Sequence, residues 1–130
     1  MTNSVLFVSI RQTFDPRMRL SELEPWVARA WAISVAKART ADRVVALIAG
    51  HAVAAWELRG AYPADETYLV ATGDARPRVA LALGSPLPLL PEYDQPDLAM
   101  RRGVALVRLD VPGLPDERNW AGIDDPVRPA

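Results

Sequence analysis

Arg11, Arg29, Trp31, Lys37 and Trp56 are the residues whose types and spacing suit this chain to grip a flat, charged ligand. Arginine offers a planar fork that reads phosphates and base edges in pairs of hydrogen bonds. A tryptophan face stacks on a nucleobase for about 1–3 kcal/mol and needs only to be flat and reachable. Arg11 ends the apolar run SVLFVSIR at 4–11, as an ordinary strand-end charge or as a group pointing into a site. Arg29, Lys37 and Arg39 follow, and would form a phosphate-contacting rim; a solvated helix face accounts for them equally well. Trp26 and Trp31 are five residues apart, about 140° on a helix of ~3.6 residues per turn, so at most one serves a given contact. Trp31, next to a turn, is the candidate platform, and it also fits a core stripe. Trp56 and Glu57 alternate on a strand, which predicts Trp56 as core or pocket wall and Glu57 as a surface charge.

The same inventory argues against catalysis. The chain has no cysteine and a single histidine, so thiol chemistry, disulfides and the common zinc sites lose their parts. His51 stands beside Gly50 in a predicted turn with no local pattern supplying a carboxylate and a nucleophile. The acidic pairs Asp65-Glu66, Asp94 with Asp97, and Asp124-Asp125 fall on loops rather than on one rigid element. There is no glycine-rich phosphate loop. No catalytic residue, metal or cofactor is expected.

At 130 residues, half of them hydrophobic and 24% charged, the chain reads as one globular domain. No apolar run reaches the ~18 residues that span a bilayer. The opening MTNSVLFVSIRQ lacks the basic lead of a secretion signal, so a cytoplasmic protein is expected. Residues 1–60 hold eight basic groups against five acids, whereas residues 61–130 hold seven against eleven. The net charge of −1 excludes a polycation that binds nucleic acid by phosphate neutralisation alone. Any basic surface must come from the first half.

The elements that must position these residues follow from periodicity and punctuation. Residues 4–11 predict a strand. Ser21-Glu22-Leu23-Glu24 is a capping-box pattern, and Pro25 fits the first helical position, so a helix opens between 21 and 25. Leu23, Trp26, Val27, Ala30 and Trp31 make its apolar stripe. Ser34 caps a second short helix. RVVALIAG and HAVAAWELRG predict a hairpin turning at Gly50-His51. AYPADET reads as a loop, TYLVATG as a weak strand, and RVALALG and GVALVRLDV as stronger ones. Four prolines make the stretch SPLPLLPEYDQPDLAMRR mostly loop, with a helical turn at DLAMRR, and residues 112–130 read as a Pro-rich tail after a domain spanning 1–111. Helices confined to one early pair suggest an α+β barrel rather than a βαβ sheet.

In order and spacing these features resemble a PUA-like domain family related to the EVE and ASCH domains. The residues carrying the likeness are Arg11 with Phe14, Arg29-Ala30-Trp31, Lys37 to Ala41, Ala46 to Gly50, and Trp56-Glu57, across roughly residues 4–63. At Ala61-Tyr62 such sequences often place a Trp before the proline, and the Pro-rich 85–97 has no clear counterpart. The resemblance implies a small barrel of five to six mostly antiparallel strands, with two short helices after the first strand. It also implies a concave pocket for a nucleobase, in some relatives a modified one, and in some a role beside nucleases in restriction and defence. RNA-cleaving relatives would need a lysine, and Lys37 is the only one here. The expectation is a nucleic-acid-binding module in which Trp31 stacks, Arg11 reads an edge, and Arg29 and Lys37 meet the backbone, with Trp56 in the pocket wall. An alternative is a small-molecule-binding protein or enzyme whose barrel pocket is covered by the Pro-rich 85–97. A third is a protein-interaction module whose tail, with Trp120, docks on a partner or forms a homodimer.

Overall fold

The computed structural model describes residues 2–10, 20–28, 31–98 and 103–114. Arg11, Phe14, Arg29, residues 99–102 of the DLAMRR turn and the tail from 115 lie outside these, as do the side chains of Ser21, Leu23 and Trp26.

Five strands form one mixed sheet: β1 (Thr2–Ser9), β2 (Arg43–Ile48), β3 (His51–Leu69), β4 (Ala75–Pro86) and β5 (Gly103–Asp110). Their order is β4-β3-β2-β1-β5, with β1 and β2 parallel and every other pair antiparallel. The sheet is open, with β4 and β5 at its edges, and is not closed into a barrel. Two helices follow β1, as expected: α1 (Leu20–Ala28) and the four-residue α2 (Val35–Ala38). Because they carry the chain from β1 to its parallel neighbour, the first half is a β-helix-β crossover after all. Pro25 lies inside α1 rather than at its first position, so the helix opens at Leu20, before the predicted window.

Both faces of the sheet are covered, which explains apolar runs such as VLFV and VVALI in place of strict alternation. On one face Leu6, Val8, Val44, Ala46, Trp56 and Leu81 pack beneath Val27 of α1 and Ala38 of α2. On the other Val5, Phe7, Val45, Leu47 and Ala55 meet Tyr93, Leu98 and Val111. Tyr93 and Leu98 come from the Pro-rich stretch, which is not loop throughout but holds two short 3-10 turns, Pro91–Tyr93 and Pro96–Leu98. This stretch is thus a packed layer of the fold. Its middle, between the two turns, is tied to the β2–β3 hairpin, where Gln95 N–H donates to the Gly50 carbonyl at 2.7 Å and Ala52 N–H donates to Asp94 Oδ1 at 2.9 Å.

Arg43 anchors that layer. Its guanidinium is buried and donates to Asp42 from Nε (2.8 Å) and Nη2 (2.9 Å), to the Tyr93 hydroxyl from Nη1 (2.9 Å), and to the Pro112 carbonyl from Nη2 (2.6 Å). Burial works to lower its pKa, but the bonds to Asp42 and Tyr93 outweigh it and hold the group above its ordinary value.

β3 is longer than its sequence suggests. AYPADET and TYLVATG are one continuous strand with the residues before them. Pro63 is tolerated because Val79 opposite it spends both backbone groups on Trp31, so the pair is a non-hydrogen-bonded one and needs no N–H from the proline. The β2–β3 turn falls at Ala49-Gly50, one residue earlier than predicted, with φ of 49° and 82°. Both central residues are left-handed, as a two-residue hairpin turn requires. Ala49 is the strained member, since a Cβ in this region costs about 1–2 kcal/mol. Ala49→Asn, which creates the favoured Asn-Gly pair, should raise stability by about 0.5–1 kcal/mol in urea denaturation. In the same assay Arg43→Ala should lose about 1–3 kcal/mol, because it leaves the buried Tyr93 hydroxyl without its donor and the half-buried Asp42 without its cation. Tyr93→Phe should lose about 1.5–3 kcal/mol.

Candidate functional site

Sequence alternation places Glu57 and Arg59 two apart on one face of β3, with Gly60 following. The structure adds two irregularities that decide what they do. Between Trp56↔Pro86 and Leu58↔Leu83, β4 carries an extra residue; between Leu58↔Leu83 and Gly60↔Ala82, β3 carries one, at Arg59. Such bulges bend a strand and re-aim its side chains. Glu57 is consequently not the surface charge expected of it. It is 8% exposed, roofed by the chain at 84–85, and its Oε1 accepts from Ser85 N–H at 3.4 Å. Arg59 Nη2 lies 3.5 Å from the same oxygen. That is longer than the 2.7–2.9 Å of a tight charge-assisted bond, and Arg43 and Asp42 supply the contrast at 2.8 Å.

A cleft of about 160 Å³ opens beside this bulge, lined by Arg39, Ala41, Leu58, Arg59 and Gly60. β3 outruns β2 here: Leu58 N–H donates to the Asp42 carbonyl at 3.0 Å, and beyond it the strand's free side is bordered by the 39–41 turn. Ser34 starts that approach by capping α2, its hydroxyl accepting from Lys37 N–H at 3.1 Å. Arg39 ends α2 and donates from Nε to the Ala61 carbonyl at 3.0 Å, which pins its guanidinium at the cleft. Lys37 is exposed on α2. Residues 37–60 hold four cations, Lys37, Arg39, Arg43 and Arg59, against the carboxylates Asp42 and Glu57. Two of these charges, Arg43 and Asp42, neutralise each other. Of the residues that line the cleft, Arg39 and Arg59 are the charged ones.

The expected ligand-binding residues are distributed around this geometry unequally. Lys37 lies on the helix that leads to the cleft. Trp31 sits on the outer edge of β4, exchanging backbone hydrogen bonds with Val79 at 2.9 and 2.8 Å. Its ring is half-buried against the helix-side core, and its Nε1 donates to the Val27 carbonyl at 2.7 Å. Trp31 is therefore part scaffold, with a polar handle already used. Trp56 is 0% exposed, and its Nε1 donates to Glu24 Oε1 at 3.2 Å, so it belongs to the core beneath α1. Arg11 and Arg29 lie outside the described residues. His51 is exposed at the start of β3. Sequence reasoning passed over Arg59 and Gly84; the signal available was an acid and a base at i and i+2 in an otherwise apolar strand.

Among the described residues no group of His, Asp and Glu is arranged to hold a metal ion, and no helix is long and apolar enough to cross a membrane. Comparison with family models, curated proteins and solved structures gives no match.

Gly84 makes room for the Glu57–Arg59 pair. A Cβ there would lie 2.6 Å from Arg59 Nε, 2.9 Å from Glu57 Oε1 and 3.0 Å from Glu57 Cβ. Gly84→Ala should cost about 1–3 kcal/mol of stability by overpacking. The displaced Arg59 should be visible as a shift of its Nε–H resonance, with the Arg43 resonance unchanged.

Proposed function

We infer that this chain is a nucleic-acid-binding module that uses the helix-side surface running from Trp31 through α2 to the arginine cleft. The observation that carries the reading is the convergence of Arg39 and Arg59 on one cleft beside exposed Lys37. Arginine and lysine at a concave edge meet phosphate oxygens, which fix register without reading sequence. Trp31 is level with Pro63, two strand spacings (about 10 Å) across and three residues (about 10 Å) along from Gly60 of the cleft, about 14 Å in all. A strand advances ~3.4 Å per nucleotide, so a base on Trp31 and a phosphate in the cleft would be a few nucleotides apart. In this reading Trp31 stacks a base through the uncovered part of its half-buried ring and Lys37 meets the backbone, and a PUA-like relationship would make the base a recognised one, modified in some relatives. The roles expected of Arg11, reading a base edge, and of Arg29, meeting the backbone, fall on residues outside those described.

Fluorescence anisotropy with labelled single- and double-stranded oligonucleotides tests this. Binding should be measurable at about 50 mM salt and fall steeply by about 200 mM. Lys37→Ala should weaken every sequence alike and reduce the salt slope by about 1. Trp31→Ala, checked for folding by its thermal transition, should lower single-strand affinity about 5- to 150-fold. No binding at low salt, or binding indifferent to both substitutions, overturns the reading.

A further inference from the structure

We propose that the stretch Pro86-Leu87-Pro88-Leu89-Leu90-Pro91 is a preformed polyproline II ridge that docks in the aromatic-lined groove of a partner protein, one with basic side chains at its rim. The ridge packs on the sheet face opposite the helices, so the inference stands apart from the nucleic-acid reading. Proline fixes its own φ at about −65° and pushes the residue before it to extended backbone. Pro86, Pro88 and Pro91 are held by the first rule, and Leu87 and Leu90 by the second. Only Leu89 is left unconstrained. Leu90, at φ −109° and ψ 148°, is extended as the rule requires.

Burial gives the winding of the stretch. A β-strand would turn alternate residues inward, Leu87 together with Leu89. Here Leu87 and Leu90 pack against the Tyr93 core, while Pro86, Pro88, Leu89 and Pro91 are exposed. A spacing of three is the period of polyproline II. Two inward leucines at that spacing leave Pro88 and Pro91 in one outward row, the PxxP pattern that aromatic grooves read. Pro86 and Leu89 make the second outward row, with Leu89 47% exposed.

The ridge is anchored at both ends. Leu87 N–H donates to the Ala55 carbonyl at 2.8 Å, and the Leu90 carbonyl accepts from Tyr93 N–H at 3.0 Å. Tyr93 is tied in turn to Arg43. Among the described residues Pro88 and Leu89, between these anchors, make no hydrogen bond. A segment already ordered in this way loses little conformational entropy on docking. Charge selects the groove. Residues 79–100 contain no lysine or arginine, and Glu92, Asp94 and Asp97 are exposed just beyond the ridge. A basic rim complements them.

The test titrates the isotope-labelled full chain with purified SH3, WW and EVH1 domains, each family represented by members with basic and with acidic groove rims, followed by NMR. Basic-rimmed domains should give saturable shifts at the Leu87, Leu89 and Leu90 amides, and binding should weaken as salt is raised. Pro88→Ala, Pro91→Ala and Leu89→Ser should each lower affinity about tenfold or more. Pro91 also opens the turn that carries Tyr93, so Leu89→Ser keeps the test decisive if Pro91→Ala loosens the fold. No saturable shift with any of these domains, affinity unchanged in Leu89→Ser, or binding only to acidic-rimmed members overturns the proposal. Shifts at the same amides that grow with the chain's own concentration make a second copy the occupant and overturn it as well.

Discussion

The buried guanidinium of Arg43 is the interaction on which the rest of this structure depends. Four hydrogen bonds join the start of β2 to Asp42 before it, to Tyr93 in the Pro-rich layer and to Pro112 after β5. Burying a charge is costly unless it is paired and its donors are satisfied, and here most of the fork is occupied. The return is topological. The layer over this sheet face is only a proline-rich segment with two single turns, too short to hold itself in place by helix formation. Tyr93 gives it a fixed point, and the hairpin bonds to Gln95 and Asp94 give it two more.

The same pairing sets the edge of the candidate site. Asp42 is held by Arg43 through its carboxylate, while its carbonyl receives Leu58 N–H and its own N–H donates to Ser4. β3 is thus locked to β2 up to Leu58 and released from it at Arg59, where the bulge begins. Arg43 fixes the frame, and Arg39 and Arg59 stand where the frame ends. The ion-pair distances, 2.8 Å at Arg43 and 3.5 Å at Arg59, make the first pair the tighter of the two.

Much of the fold was legible because it is written in local pattern. β1, β2, β4 and β5 follow from apolar runs bounded by turn residues, and the two helices follow from Ser34 and the stripe through Val27. What could not be read there is non-local. β1 and β2 pair in parallel across more than thirty residues, and nothing within either strand distinguishes that from an antiparallel partner. Pro63 and the acids at 65–66 look like a loop, yet a strand with a register shift and no β2 neighbour at that height accommodates them. The open sheet replaces the barrel for a related reason: closure depends on β4 meeting β5, and the Pro-rich layer instead carries the chain across a face to the far edge.

The candidate site shows the same division. Residue type alone identified the basic first half and Trp31, but rotation about strand and helix axes decided which members converge. Glu57 looked exposed because alternation assumes one wet face, and this sheet has none at that position. Trp56 is consumed by the core, and the indole N–H of Trp31 is consumed by Val27. That leaves Trp31 only its ring to offer, so any contact it makes with a base is through stacking, which tolerates every base. Discrimination among bases would then need donors or acceptors from other residues. The described ones nearest the cleft, Arg39 and Arg59, suit phosphate as well as a base edge. On these residues the module would hold a strand by its backbone and one unstacked base, with affinity set by charge and flat surface more than by sequence.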